Sequence, residues 1–129
     1  MDEKQYKVGK QILREHDLEF TVEYEGEVFT LRHPTPLIKS QVEAEIARRL
    51  GGMSRDAYSP EHLAMVEATT YVNAIVVPDK SPSWFESAWT CYDDRLIAVL
   101  YEGYLQFRDN FRRGLREGRF SENRAGGGT

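Results

Sequence analysis

The stretch LEFTVEYEGEVFTLRHPTPLIKSQVEAEIARRLGG, residues 18–52, indicates the fold class because its hydrophobic period changes part-way along. In its first part an apolar residue stands at every second position from Leu18 to Tyr24, and this period of two predicts a half-buried strand. Gly26 interrupts the alternation before VFTLR resumes it. We therefore predict a short β-hairpin whose glycine allows a positive φ in the turn.

The second part of the same stretch has helical spacing, with apolar residues three or four positions apart. Thr35 is a suitable N-cap, and Pro36 fits the first helical position because its missing N–H has no partner there anyway. Gly51 or Gly52 suits the left-handed C-cap. A well-delimited helix should follow the hairpin.

Two further helices are predicted from similar signals. Ser59 and Pro60 repeat the cap and first-turn pattern, so a second helix should run from about Pro60 toward Ala74. The residues IVV that follow, at 75–77, favour an extended segment. Asp93 or Asp94 can cap a long final helix that reaches about Gly118.

Taken together, these patterns predict an α+β fold that is mostly helical, with a small N-terminal β-hairpin followed by three or four helices, the last one long. Within the final helix, Gly103 and Gly114 predict close packing against a neighbour or a bend. We divide the chain into an N-terminal segment (1–17), a single globular domain (18–120) and a flexible glycine-rich tail (121–129).

Composition and charge exclude several classes of protein. With 129 residues, 40% of them hydrophobic and 29% charged, the chain has the balance of one folded domain. A net charge of −4 argues against a surface that binds polyanions throughout. The charge is polarised, because acids dominate residues 1–30 and arginines dominate residues 108–124. No apolar run approaches the roughly 20 residues of a membrane span, so no membrane partner is expected.

Residue types that carry chemistry are present without the spacing that chemistry needs. His16, His33 and His62 are scattered, and no paired His/Cys motif supports a metal site, so we expect no metal and no cofactor. His33 and His62 are interpreted as loop and surface residues. A small enzyme using Cys91 or Asp93 stays open as a hypothesis, but no histidine near Cys91 in sequence could serve as its base.

The run FRDNFRRGLREGRF, residues 107–120, interleaves aromatic residues with arginines. Its apolar residues fall at helical spacing, which favours an amphipathic helix with a protein-facing or solvated basic side. Binding of nucleic acid through this basic face is the alternative. The candidate protein-binding or self-association residues here are Phe107, Arg108, Phe111, Arg112, Leu115, Arg116 and Arg119.

The segment PSWFESAW, residues 82–89, contains both tryptophans of the chain. The spacing of Trp84, Phe85 and Trp89 favours packing of at least two of them onto the long helix. The third is then free to contact a neighbouring subunit or a client. We include all three among the candidate interaction residues. A charged residue in place of Phe111 or Leu115 should abolish oligomers, or unfold the monomer if those positions are core.

The order of these elements resembles that of a known family. A hairpin (LEFTVEYEGEVFTLRHPTP), a helix with SQVEAEIARRLG, a second helix followed by VV and a proline-flanked tryptophan, and then DDRLIAVLYEGYLQFRDNFRRGLREG occupy residues 18–118. This order resembles the tail assembly chaperones of long-tailed siphophages. The similarity lies in element order and apolar spacing and includes no catalytic signature.

The resemblance implies a non-enzymatic protein that self-associates, coats the tape measure protein and recruits tail tube protein. It also implies action in the host cytoplasm and absence from the mature virion. One cysteine and the lack of an apolar leader in MDEKQYKVGK agree with a cytosolic expectation. The alternative function is a nucleic-acid-binding adaptor that uses the C-terminal arginine-rich helix.

Overall fold

The computed structural model describes residues 4–121 and has the predicted α+β, mostly helical architecture. Two antiparallel hairpins come first and three longer helices follow, the last of them 23 residues long. The elements are β1 (Gln5–Val8), β2 (Gln11–Arg14), the one-turn helix α1 (Glu15–Leu18), β3 (Glu19–Tyr24), β4 (Glu27–Arg32), α2 (Pro36–Arg49), α3 (Pro60–Ile75) and α4 (Asp94–Arg116).

The predicted hairpin is β3–β4, whose register runs from Glu19 opposite Arg32 to Tyr24 opposite Glu27. Its two-residue turn has positive φ at both positions, 53° at Glu25 and 80° at Gly26. This geometry matches the right-handed twist of the two strands.

Strand β3 lies along α4 in the antiparallel sense. The ring of Phe20 stacks on Phe107 at 4.5 Å between centroids. A Cβ on Gly103 would lie 2.7 Å from Cγ2 of Val22, so this glycine marks the closest approach of helix to strand. Gly114 likewise faces Phe120. Close packing, rather than a bend, therefore accounts for both glycines.

Helices α2 and α3 begin where the sequence predicted. The Thr35 hydroxyl accepts a hydrogen bond from the Ile38 N–H, and the Ser59 hydroxyl accepts one from the His62 N–H. Helix α3 packs between α2 and α4 and so contributes to two clusters of buried side chains. Leu37 fits the apolar repeat of α2 in the sequence but is 66% exposed in the structure.

The segment IVV, residues 75–77, was predicted as extended, and this holds for its last two residues but not for the first. Ile75 is the last residue of α3, whereas Val76 forms an isolated bridge with Leu31 and the Val77 N–H donates to the Thr30 carbonyl. Strand β4 is thereby joined to the end of α3. Its central residues are buried on both sides, with Phe29 and Leu31 inaccessible to solvent.

The hairpin β1–β2 was not found from the sequence, which assigned no regular structure to residues 1–17. In the structure this hairpin contacts the last turn of α4 and the residues that follow it. The Ile12 N–H donates to the Phe120 carbonyl at 2.8 Å, and the Gln11 side chain donates to the Leu115 carbonyl at 2.9 Å. Residues 4–17 therefore pack against the domain that we had begun at residue 18.

His33 lies in the loop between β4 and α2, as predicted, but it is half-buried rather than a surface residue. Its ring lies 4.5 Å from that of Phe111 and 5.9 Å from that of Phe107, centroid to centroid, and its Nδ1 atom is buried without a hydrogen-bond partner. Burial, reinforced by Lys39 and two arginines of α4, lowers the pKa of His33 to about 4. The rings that cover it come from a distant part of the chain.

The flexible tail predicted at 121–129 lies outside the described residues, apart from Ser121. Between residues 4 and 121, no helix combines the length and the apolar character that crossing a membrane requires.

Candidate functional site

The aromatic residues of α4 that are candidate interaction residues face inward. Phe111 is 6% exposed and lies between Phe107, at 5.8 Å, and Phe120, at 5.5 Å between ring centroids. Phe107 and Leu115 are half-buried on the same side of the helix. Of the two alternatives left open by the sequence, the structure places Phe111 in the core.

The arginines of α4 lie on its other side. Arg112, Arg113 and Arg116 are exposed, whereas Arg108 is half-buried and pairs with Asp109 at 3.2 Å. Arg119, beyond the helix, is half-buried beside Gly114. Within residues 4–121, the structure pairs none of these arginines except Arg108 with a carboxylate.

Lys39 of α2 joins these arginines. Burial, together with the nearby charges of Arg112 and Arg108, lowers the pKa of Lys39. Lys39, Arg108 and Arg112 therefore lie close together. We call this region the basic end: Lys39, Arg108, Arg112, Arg113, Arg116 and Arg119.

Carboxylates gather at the other end of α4, around the tip of the β3–β4 hairpin. The Tyr24 hydroxyl donates to Asp93 at 2.7 Å, and this hydrogen bond is the main cause that lowers the pKa of Asp93. Asp93 also caps α4 by accepting from the N–H groups of Arg95 and Leu96. We call this region the acidic end: Glu23, Glu25, Glu27, Glu86, Asp93 and Asp94.

The three aromatic residues of the segment 82–89 have different environments. Phe85 is 8% exposed and packs edge-to-face on Phe29. Trp89 is half-buried beneath the guanidinium of Arg49, 3.7 Å from the ring centroid. Trp84 is 53% exposed, and its Nε1–H donates to the Glu27 carboxylate at 2.9 and 3.0 Å. Trp84 therefore presents an open aromatic surface within the acidic end.

Helix α4 separates the charges at its two ends. Asp94 in its first turn lies about 21 Å along the helix axis from Arg108 and about 33 Å from Arg116, which is more than two screening lengths of about 8 Å at physiological salt. The helix macrodipole favours Asp94 in the first turn and Arg116 in the last. It does not account for Glu23 and Glu25 on the hairpin, or for Lys39 on α2.

A groove between α3 and α4 was missed by the sequence analysis. It has a volume of about 720 Å³, and both helices contribute small or apolar side chains to it. Trp89 and Cys91 close one end. Helical spacing indicated that α3 and α4 were amphipathic, but which faces meet depends on their packing. We call this feature the α3–α4 groove: Ala64, Ala68, Trp89, Ile97, Ala98, Tyr101 and Leu105.

Cys91 and Asp93, the residues of the enzyme hypothesis, lie close together at the start of α4. The Cys91 thiol contacts the Asp93 carbonyl oxygen at 3.7 Å, and Asp93 serves as the cap of α4. In the part of the chain that is described, no three His, Cys, Asp or Glu side chains are grouped so that they could hold a metal ion. No protein-family model matches the chain, and no curated protein or solved structure shows significant similarity to it.

Proposed function

We propose that this protein is a non-enzymatic phage tail assembly chaperone that self-associates and coats the tape measure protein during tail assembly. The order of elements on which the resemblance rests agrees with the fold: a hairpin, two helices, an aromatic connection and a long last helix. The observation that carries the proposal is the separation of opposite charges along α4.

Opposite charges at the two ends of one helix favour contact between copies. A basic end that lies about 21–33 Å along α4 from the acidic end of its own chain finds its complement on a second copy. The contact is heterologous, since different surfaces meet, and it can repeat as an open row of copies. Such a row would present its α3–α4 grooves at regular intervals, as a coat on a long helical client requires.

The remaining elements of the proposal come from the resemblance. The partners are the tape measure protein, the tail tube protein and further copies of the same chain. The protein acts in the host cytoplasm and is absent from the mature virion. The exposed ring of Trp84 beside Glu27 supports this protein-binding role, because tryptophan is enriched among interface anchors.

Light scattering of the purified protein tests the proposal. The mean mass should rise with protein concentration and fall with added salt, because charge contacts between exposed groups are screened. The oligomers should also keep a hydrophobic helical fragment of a tape measure protein in solution. A strict monomer that leaves the fragment insoluble would contradict the proposal.

The basic end favours a second candidate function, that of a nucleic-acid-binding adaptor. Arg112, Arg113 and Arg116 are exposed and have no carboxylate partner within residues 4–121. Phosphate contacts by these arginines would give binding that weakens steeply with salt. Titration of a labelled duplex or single strand at several salt concentrations, with Arg112→Glu as the comparison, distinguishes this function from the first.

A further inference from the structure

The lining of the α3–α4 groove is suited to binding a helix. Ala64 and Ala68 stand one helical turn apart on α3, and Ala98 faces them from α4. Ala64 and Ala98 are exposed, so the groove is open on both walls. Alanine side chains leave room for another helix to approach closely, while buried Ile97 supplies an apolar floor.

Larger apolar groups extend the same surface. On α4, Ile97, Tyr101 and Leu105 follow each other at four-residue spacing and form one continuous stripe. Met65 borders the groove on α3 and is 43% exposed. An apolar face of about two to three helical turns is thus available to a partner.

The rim of the groove is acidic. Glu67, Asp94 and Glu102 line it, and Arg95 is the single basic residue of the lining. The Tyr101 hydroxyl donates to Glu67 at 3.0 Å and holds that carboxylate beside the groove. Glu102 is exposed and has no ion-pair partner within the described part of the chain. A partner with positive charges beside its apolar face fits this rim better than a neutral or acidic one.

We propose that the α3–α4 groove binds an amphipathic helix of a partner protein, whose face of small and aliphatic side chains is flanked by lysine or arginine. This inference rests on the proposed function, because it names the kind of client segment that the chaperone would cover. The mode of recognition is a helix in a groove, with anchors at every third or fourth position.

A second copy of this chain is a poorer occupant. The most basic helix of the chain is the C-terminal half of α4, but its apolar residues are already covered. Phe111 is buried, and Phe107 stacks on Phe20. The exposed side of that segment carries arginines rather than an apolar face. It therefore lacks the aliphatic surface that the groove would bury.

Two residues of the groove allow binding to be measured directly. Cys91 is the one cysteine of the chain, so its rate of alkylation reports on the end of the groove without any labelling mutation. Trp89 lines the same end, and in a Trp84→Phe variant its fluorescence is observed alone, since the chain has two tryptophans. Trp84 itself lies outside the groove.

The probe is a designed helical peptide of about 18 residues, or five turns, with leucine and alanine on one face and lysines beside it. A matched peptide carries glutamate in place of lysine. The lysine peptide should slow alkylation of Cys91 at least about tenfold at saturation and shift the emission of Trp89. The glutamate peptide should bind at least about tenfold more weakly, and the difference should shrink as salt is added.

Substitutions on the groove provide the second part of the test. Ala98→Arg places bulk and positive charge at an exposed position of the wall, and it should abolish protection of Cys91 by the lysine peptide. Ala47→Arg, at an exposed position of α2 outside the groove, is the matched control and should leave protection unchanged. Glu102→Lys should reduce the preference for the lysine peptide over the glutamate peptide.

Several outcomes would overturn the inference. These are failure of both peptides to bind, equal binding of the two, and binding that survives Ala98→Arg. If protection of Cys91 grows with protein concentration in the absence of peptide, the occupant is a second copy. Protection by a small apolar molecule such as an anilinonaphthalene dye, without protection by peptide, would make the groove a small-ligand pocket.

The inference and the proposed function fail in different ways. The oligomers could keep a tape-measure fragment in solution while Cys91 stays fully reactive. This result would support the proposed function but would show that the groove is not the site that binds the client. Protection of Cys91 by the lysine peptide in a protein that neither oligomerises nor dissolves the fragment would do the reverse.

Discussion

His33 shows how a single residue can make stability depend on pH. Its Nδ1 atom is buried without a partner, and Lys39, Arg108 and Arg112 surround it with positive charge. Each of these features disfavours the protonated ring. The pKa of His33 is therefore about 4 in the folded protein, compared with 6.5 for a free histidine.

We predict that the free energy of unfolding falls as the pH is lowered from 7.5 to 5.5. The unfolded chain takes up the His33 proton near pH 6.5 and the folded chain only near pH 4, so between these values the unfolded state binds more protons and gains stability. The loss at pH 5.5 should be about 1 kcal/mol. His33→Leu should remove this loss in urea denaturation experiments at the two pH values.

His62→Gln is the control for this prediction, because His62 stacks on Tyr58 at a different place in the fold and leaves His33 intact. This variant should lose stability with falling pH as the wild type does. Parallel losses in the wild type and in His33→Leu would show that His33 is not the cause.

Packing between α4 and β3 depends on the absence of a side chain at Gly103. We predict that Gly103→Ala lowers the free energy of unfolding by about 1–2 kcal/mol, since overpacking costs about 1–3 kcal/mol and alanine regains at most about 1 kcal/mol of helix propensity. The Cβ would lie 2.7 Å from Cγ2 of Val22, a β-branched side chain that cannot easily rotate away. Chemical denaturation gives the measurement.

A double-mutant cycle with Val22→Ala separates this contact from general effects of the substitution. Removing the methyl groups of Val22 makes room, so the double variant should be more stable than the sum of the two single changes predicts. Simple additivity of the two effects would contradict the packing explanation.

The two sides of the C-terminal half of α4 should respond differently to substitution. Phe111→Asp places a charge among Phe107, Phe120 and His33, so we expect loss of the cooperative thermal transition in circular dichroism. Arg113→Glu changes an exposed position and should keep the helical spectrum and the transition. A folded Phe111→Asp protein with altered self-association would place Phe111 on an interface instead.

The elements that could be predicted from sequence are those whose signals are local. The hydroxyls of Thr35 and Ser59 each accept a hydrogen bond from the backbone N–H three residues later, and a proline follows each of them. The starts of α2 and α3 can therefore be predicted from a few neighbouring residues. The hairpin β1–β2 lacks such independence, because Gln11 and Ile12 pair with residues after α4. Within the hairpin itself, a local sign of the turn is Gly9, which has a φ of +62°.

The candidate surfaces were predictable to a lesser degree. Helical spacing identified the apolar stripe of α4 that includes Phe111 but could not tell that His33 and Phe120 cover it. The α3–α4 groove depends on two helices separated by a long connection, so no periodicity within one helix reveals it. Charge polarity, in contrast, was visible in the sequence, but the structure separates it along α4 only in part. The hairpin tip with Glu23, Glu25 and Glu27 meets the start of the helix through Tyr24 and Asp93, whereas Glu15 and Glu19 pair with Arg32 on the side of Phe107.

At the scale of the whole molecule, the two charged ends predict a specific complementation. Arg112→Glu with Arg116→Glu should weaken self-association, because carboxylates replace two of the six cations of the basic end and reduce its attraction for the acidic end. Glu23→Lys with Glu25→Lys should do the same from the other end. All four positions are exposed, so each variant should keep the helical spectrum of the wild type.

An equimolar mixture of the two variants should restore association, because the unchanged acidic end of the first variant can meet the unchanged basic end of the second. Analytical ultracentrifugation of each variant and of the mixture measures this. If the mixture stays as monomeric as its components, the charged ends are not the contact between copies.

The hydrogen bonds of Gln11 also affect the order of events during synthesis. Gln11 binds the backbone of Phe120, a residue 109 positions later, so β2 cannot be fixed until nearly the whole described chain has been made. At about 5–20 residues per second, this delay is roughly 5–20 s. An isolated two-stranded hairpin is marginally stable in water, and the apolar side chains of Ile12 and Leu13 lack their final cover during this time. The hairpin β1–β2 is therefore synthesised well before Phe120, which helps to hold it in place.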